Sequence, residues 1–213
     1  MKQPVRLVLL LVLCVGLSVS GILPGGLAAR AVDSGTWIQL PPYESRLLCL
    51  AIDPVTPSIV YAGTGGSGVF RSIDSGTTCT AVNTGLSDLW VRSLAINPLA
   101  PTSLYAGTDG RGVFRSADSG STWTTANVGL TNLHISSLAI NPLTPTTLYV
   151  GTTGGVFRSA NSGTAWTIAN TGLTNLQISS LAINPLTPTT LYAGTTSGVF
   201  RSTNGGSAWT IAN

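Results

Sequence analysis

Charge is scarce in this 213-residue chain: Asp, Glu, Lys and Arg together make up only 8% of it. His134 is the sole histidine, so a His-rich metal site is excluded and no metal or other cofactor is expected. There are three cysteines, and no acid follows Asp118. Beyond the N-terminus, no long apolar stretch has the 3.6-residue period of a helix. What the chain does have is 25 glycines and 12 prolines, which with Ser, Thr and Asn break up short β-branched runs. That pattern reads as all-β.

The one long apolar run is N-terminal. Lys2 and Arg6 precede "LVLLLVLCVGLSVSGIL", and small residues follow around Ala29 to Ala31. This is the layout of a secretory signal peptide over residues 1–31, implying a secreted, periplasmic or cell-surface protein. An uncleaved anchor is the alternative, because Leu7 to Ala29 is long enough to span a bilayer. Loss of residues 1–31 removes Lys2, Arg6 and Arg30 and leaves seven arginines against seven acids. The sequence pI near 9.0 then belongs to the leader, and no nucleic-acid surface is expected.

A repeat organises the rest. "YAGT" or a variant begins at Tyr61, Tyr105, Tyr149 and Tyr192, at steps of 44, 44 and 43 residues. "ISSLAINPLTPTTLY" occurs twice, letter for letter. Each unit reads as four strands of four to six residues joined by tight turns: "SLAINP", "SLYAGT", "GVFRS" and "TWTTAN" in the second unit. A four-stranded unit of this length is the size of one β-propeller blade, and blades must stack because one sheet cannot bury both its faces alone. A β-solenoid is the runner-up, although its coils are typically shorter. Four blades are expected, at about 46–89, 90–133, 134–176 and 177–213, after a partial repeat at 32–45.

"RSADSGSTWT" (Arg115 to Thr124) contains an Asp-Ser-Gly that could suggest an aspartic protease. The positions matching Asp118 are Asp74, Asn161 and Asn204. Asn cannot share a proton as a catalytic carboxylate does, but it can cap a turn, so the slot reads as structural. Trp123, Trp166 and Trp209 follow at fixed spacing and read as plugs between blades.

Ser-x-Asp-x-Gly-x-x-Trp in this setting resembles the Asp-box, or bacterial neuraminidase repeat. With "LAINP…LYAGT…GVFRS" before it, the chain is similar to repeats of xyloglucanase-type glycoside hydrolases, sortilin-type propellers and the photosystem II assembly factor family. The resemblance covers about Asp33 to Asn213 and implies the propeller architecture. It implies no single activity, because enzymes and non-enzymes share the box. Cys79 replaces the box Trp in the first unit, and Asn replaces Asp in the last two.

Topology then assigns faces. The box turns and the Asn-Pro turns share one side. The Gly-rich turns between strands 2 and 3 share the other with the links between blades, and there a ligand is expected. Cys49 and Cys79 fall on strands 1 and 4 of one blade. Three strand spacings of about 4.8 Å part them, too far for a disulfide, so two free, largely buried thiols are expected.

The side chains that vary on the ligand face are Arg46, Trp90, His134 and Gln177, just before strand 1, with Asp109 and Arg111 in one turn only. Ordinary loop variation would leave the same trace. The candidate catalytic acids are Asp109, Asp88 and Glu44; the other four sit in repeat slots. Arg71, Arg115, Arg158 and Arg201 recur on strand 3 and read as packing and hydrogen-bonding fixtures; Arg158 and Arg201, with no acid in their own blades, are expected to donate to backbone carbonyls or water. A sialidase-type arginine cluster is not found.

Three functions stay open. One is an exported, non-catalytic propeller binding a protein or glycan. The second is a fragment of a xyloglucanase-like glycoside hydrolase, and the third a purely structural repeat. The last unit already has its own outer strand, so "VDSGTWIQL" (Val32 to Leu40) finds no vacancy in it. A truncated product or an open arc is therefore expected, with apolar end faces that self-associate.

Overall fold

A computed structural model describes residues 45–212. The expected leader, Glu44 and all of the partial repeat but Ser45 lie outside the described residues. Sixteen strands form four four-stranded antiparallel sheets, each in chain order. Blade 1 holds β1 (Leu47–Ile52), β2 (Val60–Thr64), β3 (Val69–Ser72) and β4 (Thr80–Ala81). Blade 2 holds β5 (Val91–Ile96), β6 (Leu104–Thr108), β7 (Val113–Ser116) and β8 (Thr124–Thr125). Blade 3 holds β9 (Ile135–Ile140), β10 (Leu148–Thr152), β11 (Gly155–Ser159) and β12 (Thr167–Ile168). Blade 4 holds β13 (Ile178–Ile183), β14 (Leu191–Thr195), β15 (Gly198–Ser202) and β16 (Thr210–Ile211). The described residues form an open β-propeller of four blades.

The three seams between blades are alike, because the repeat places the same chemistry at each. One apolar cluster fills each seam, with Trp123, Trp166 or Trp209 in it at 3% exposure. The indole N–H of Trp123 donates to the Val82 carbonyl of the blade before it, at 2.8 Å. Trp166 and Trp209 repeat this with Ala126 and Ala169. In the other direction, the hydroxyls of Tyr61, Tyr105 and Tyr149 donate to the carbonyls of Ser119, Ser162 and Gly205 in the next box turn. Burial pushes the Tyr61 phenol above its ordinary value.

The outer strands are shorter than the sequence suggests: two residues each rather than four to six. In blades 2 to 4 the seam contributes. Trp123 spends its backbone N–H on the Thr84 carbonyl of the preceding link, so ladder pairing begins only at Thr124. Gly85, Gly129 and Gly172 lie beneath the Trp of the next blade. Each has φ between 84° and 87°, and a Cβ there would collide with the Trp carbonyl oxygen.

The box turns are capped as an Asp or an Asn can cap them. In blade 2, Asp118 Oδ1 accepts from Thr122 N at 2.8 Å and from Ser116 Oγ at 2.8 Å. In blade 3, Asn161 Oδ1 accepts from Ala165 N and Ser159 Oγ, each at 2.9 Å. The second oxygen of Asp118 accepts from the Thr122 hydroxyl, and the two blades with Asn carry Ala165 and Ala208 there instead. These hydrogen bonds, the Thr122 ones foremost, hold the Asp118 carboxyl below its ordinary value. Each box turn also bonds to the turn between strands 1 and 2, as Ser119 N does to Thr102 O at 2.9 Å, so both lie on one side.

Cys49 and Cys79 are not joined to each other. Cys49 Sγ lies 3.6 Å from the Val91 carbonyl, and burial pushes its thiol up to about 12. One nitrogen of the recurring arginines, Nε, is enclosed. In Arg71, Arg115 and Arg158 that atom is buried with no hydrogen-bond partner among the described residues. The Arg71 guanidinium instead lies 6.0 Å from the centroid of the Tyr61 ring, within reach of its π face.

Two predictions follow from the seam and the cap. Trp166→Ala costs about 3–5 kcal/mol in urea melts, since it empties a buried indole site and strands a carbonyl. Asp118→Asn lowers the thermal midpoint only slightly, since Oδ1 keeps its bonds and only the carboxylate's bond from the Thr122 hydroxyl is given up, whereas Asp118→Ala lowers it further by freeing Thr122 N. Loss of a ligand-binding or hydrolytic activity in a folded Asp118→Asn protein would contradict the scaffold role.

Candidate functional site

The ligand-face turns are built by side chains reaching back to backbone. In blade 2, Asn127 Oδ1 accepts from Val113 N at 2.7 Å, and its amide donates to Arg111 O at 2.8 Å. Asn83 and Asn170 do the same in their blades. Reading the sequence for function passes over these residues, although the recurring "AN" or "VN" that ends each unit carries the signal. From the other side, Asp88 Oδ1 accepts from Trp90 N and Oδ2 from Gly110 N, both at 3.0 Å. Asn132 and Asn175 replace it in blades 3 and 4, where their amides donate to Thr153 and Thr196. Asp88 thus spends both carboxylate oxygens on backbone.

Trp90 and His134 each reach the Gly-rich turn of the preceding blade. Trp90 pairs with Gly65, and a Cβ on Gly65 would lie 3.5 Å from its ring. The indole, 45% exposed, thus forms a shelf over the blade 1 turn. At the next seam, His134 Nδ1 stands 3.8 Å from Asp109 Oδ1. Arg46, Arg111 and Gln177 are exposed, and among the described residues no polar side-chain contact ties them to the cluster of Asp109 and His134, to which Trp90 is joined through its carbonyl, the acceptor for Asp109 N at 3.0 Å.

Arg92 completes that cluster, and sequence reasoning did not select it. Its Nε and a terminal nitrogen meet Asp109 Oδ1 and Oδ2 at 2.5 and 2.9 Å, a bidentate pair. The register of β5 against β6 shifts between Val91 and Ser93, so Arg92 is the extra residue of a β-bulge. A bulge re-aims its side chain, which strict alternation cannot foresee. Leu48, Ser136 and Ser179 hold this slot in the other blades. The Ser136 hydroxyl, with one proton to donate, lies within hydrogen-bond distance of the carbonyls of Gly151 and Ile178.

Arg92, Asp109, His134, Ile135, Ser136 and Thr153 line a half-open cavity of about 200 Å³ across the seam between blades 2 and 3. The Arg92 guanidinium holds the Asp109 carboxyl below its ordinary value, with His134 a lesser contributor. Among the described residues, no three His, Cys, Asp or Glu side chains gather as metal ligands would. No helix there is long and apolar enough to cross a membrane.

No protein-family model and no curated protein matches the chain. Solved structures do. An ancestral GH74 enzyme matches with a TM-score of 0.68 at 22% identity, over 79% of this chain and 24% of its own. The WD40 repeats of RRP9 match with a TM-score of 0.62 at 14% identity, over 81% and 52%. YCF48 bound to D1 peptide matches with a TM-score of 0.57 at 19% identity, over 84% and 57%. The chain therefore spans less than two thirds of each. At such low identity these likenesses establish the fold: the chain is a β-propeller protein.

The pair makes a pH prediction. Because the folded-state pKa of Asp109 is depressed, its contribution to stability is present above the unfolded value, near pH 4, and is lost as pH falls through the folded one. The thermal midpoint of the wild type exceeds that of Asp109→Asn at pH 7, and the difference closes in acid. Both side chains are more than a third exposed, so the pair contributes about 0.2–1 kcal/mol, less at high salt.

Proposed function

We propose that the chain is an exported, non-catalytic propeller that binds a protein or glycan through the face carrying Trp90, Arg92, Asp109 and His134. The observation that carries this reading is the gathering of side chains that vary between otherwise repeating blades. An exposed indole shelf, a bidentate Arg–carboxylate pair and an imidazole stand next to one another at adjoining seams. Such a surface offers ring stacking with directional hydrogen bonds beside it, which suits a sugar ring or an aromatic or charged partner side chain. Variation alone would also arise in an unselected loop; the side-chain pairing of Asp109 with its neighbours favours a built surface.

The state of the acids weighs against hydrolysis. A glycosidase acid must hold its proton near neutral pH, and therefore has a raised pKa. Asp109 is depressed by Arg92, and both Asp88 oxygens cap backbone. YCF48, of the same fold, is bound to a peptide, which makes a protein partner a reasonable occupant. The GH74 likeness keeps a glycoside-hydrolase fragment as the second reading.

Screening the purified chain on a glycan array and against a peptide library, followed by titration calorimetry, tests the proposal. Trp90→Ala is expected to weaken the ligand found by about tenfold or more, with the fold intact. Release of sugar from β-glucans by the wild type, abolished in Asp109→Asn, would establish the second reading instead. No ligand in either screen would leave the repeat purely structural and overturn both.

A further inference from the structure

The face of blade 4 turned away from blade 3 repeats the strand features with which earlier blades receive their successors. Tyr192 is 39% exposed, whereas Tyr61, Tyr105 and Tyr149 are each 1% exposed and bond to the next box turn. Ser180 occupies the slot of Ser93 and Ser137, whose hydroxyls accept the backbone N–H of Leu138 and Leu181 in the next blade. Gly194 occupies the slot of Gly107 and Gly151, on which Ile135 and Ile178 of the next blade rest. Ala182 is exposed, while Ala95 and Ala139 are buried.

Blade 1 carries the matching surface. Leu47 and Leu50 stand in register with Ile135 and Leu138, and with Leu48 and Cys49 they line an open apolar groove. Its box turn has the shape of the others: φ is 59° at Ser75 and 90° at Gly76, against 61° and 84° at Ser119 and Gly120. This pair of faces is already packed together three times within the chain.

We propose that blade 4 of one copy receives blade 1 of a second copy. Tyr192 donates to the carbonyl of the partner's Ser75, Ser180 accepts the backbone N–H of the partner's Leu50, and Gly194 seats the partner's Leu47. A head-to-tail contact either closes or runs on into a filament. Made twice between two four-bladed arcs, it closes a ring of eight blades, within the range that propellers adopt. This seam is weaker than the internal ones, because Cys79 stands where Trp123, Trp166 and Trp209 plug the others. The association is therefore reversible on dilution. It does not depend on the ligand proposed above.

Sedimentation velocity and light scattering on the chain purified from an exporting host, over a wide concentration range, provide the test. Twice the monomer mass is expected at high concentration, falling to the monomer mass on dilution. Tyr192→Arg and Leu50→Glu are each expected to give monomers that keep the wild-type circular dichroism, with Ser180→Arg as the substitute if either fails to fold. Mixing Tyr192→Arg with Leu50→Glu restores one intact seam, and so a heterodimer that neither variant forms alone. A wild type monomeric at every concentration, a dimer indifferent to all three substitutions, or open-ended polymers would each overturn the proposal. So would a monomer destabilised by Tyr192→Arg, which would assign the face to the chain's own residues 32–44.

Discussion

Two hydrogen bonds running in opposite directions cross every internal seam, and the propeller depends on them. An indole N–H points back to the outer edge of the preceding blade, and a phenol points forward to the box turn of the next. No sheet ladder joins one blade to another. Apolar packing supplies most of the attraction, but it is non-directional and would tolerate a slip between sheets. The indole and phenol each have one polar atom and one carbonyl in reach, so they fix the register that packing leaves loose. The box turn matters for the same reason. It supplies the carbonyl that receives the phenol, and its capped Asp or Asn holds that carbonyl in place.

The candidate site follows from this division of labour. Inner strands pack against one another around the arc, so the freedom to vary lies in the bulge and in the residue before it. Arg92 occupies the bulge in blade 2 and reaches the turn of its own blade, while His134 reaches the same turn from the blade that follows. The site therefore straddles a seam and is only as rigid as the bonds that hold the seam.

The fold could be read from the sequence because its signal is repeated four times. Period, strand order, the structural reading of the Asp-Ser-Gly turn and the absence of a Cys49–Cys79 bridge all follow from comparing one unit with the next. What could not be read was departure from regularity within a unit. Arg92 looks like one more exposed strand residue until the register shift between Val91 and Ser93 turns it toward Asp109. Asp88 looks like a spare acid until its oxygens are found on two backbone N–H groups. The outer strands look full length until the Trp N–H is found bonded across the seam. Each miss concerns a hydrogen bond between segments far apart in sequence, to which local pattern is blind.

The glycine beneath each Trp carries a consequence for how such a chain can change. Gly85, Gly129 and Gly172 belong to one unit by sequence, yet the backbone carbonyl at the start of the following unit's outer strand dictates them. The first unit has Cys79 in place of that Trp, and "WIQLPPYESR" ahead of it contains no glycine. A duplication whose junction replaces that glycine sets a Cβ against the carbonyl of the following blade, and the new seam inherits a collision. Breakpoints that keep both partners on one side produce units that stack at once. The heritable module is thus offset from the folded blade, and recombination in such genes should favour junctions that respect this offset.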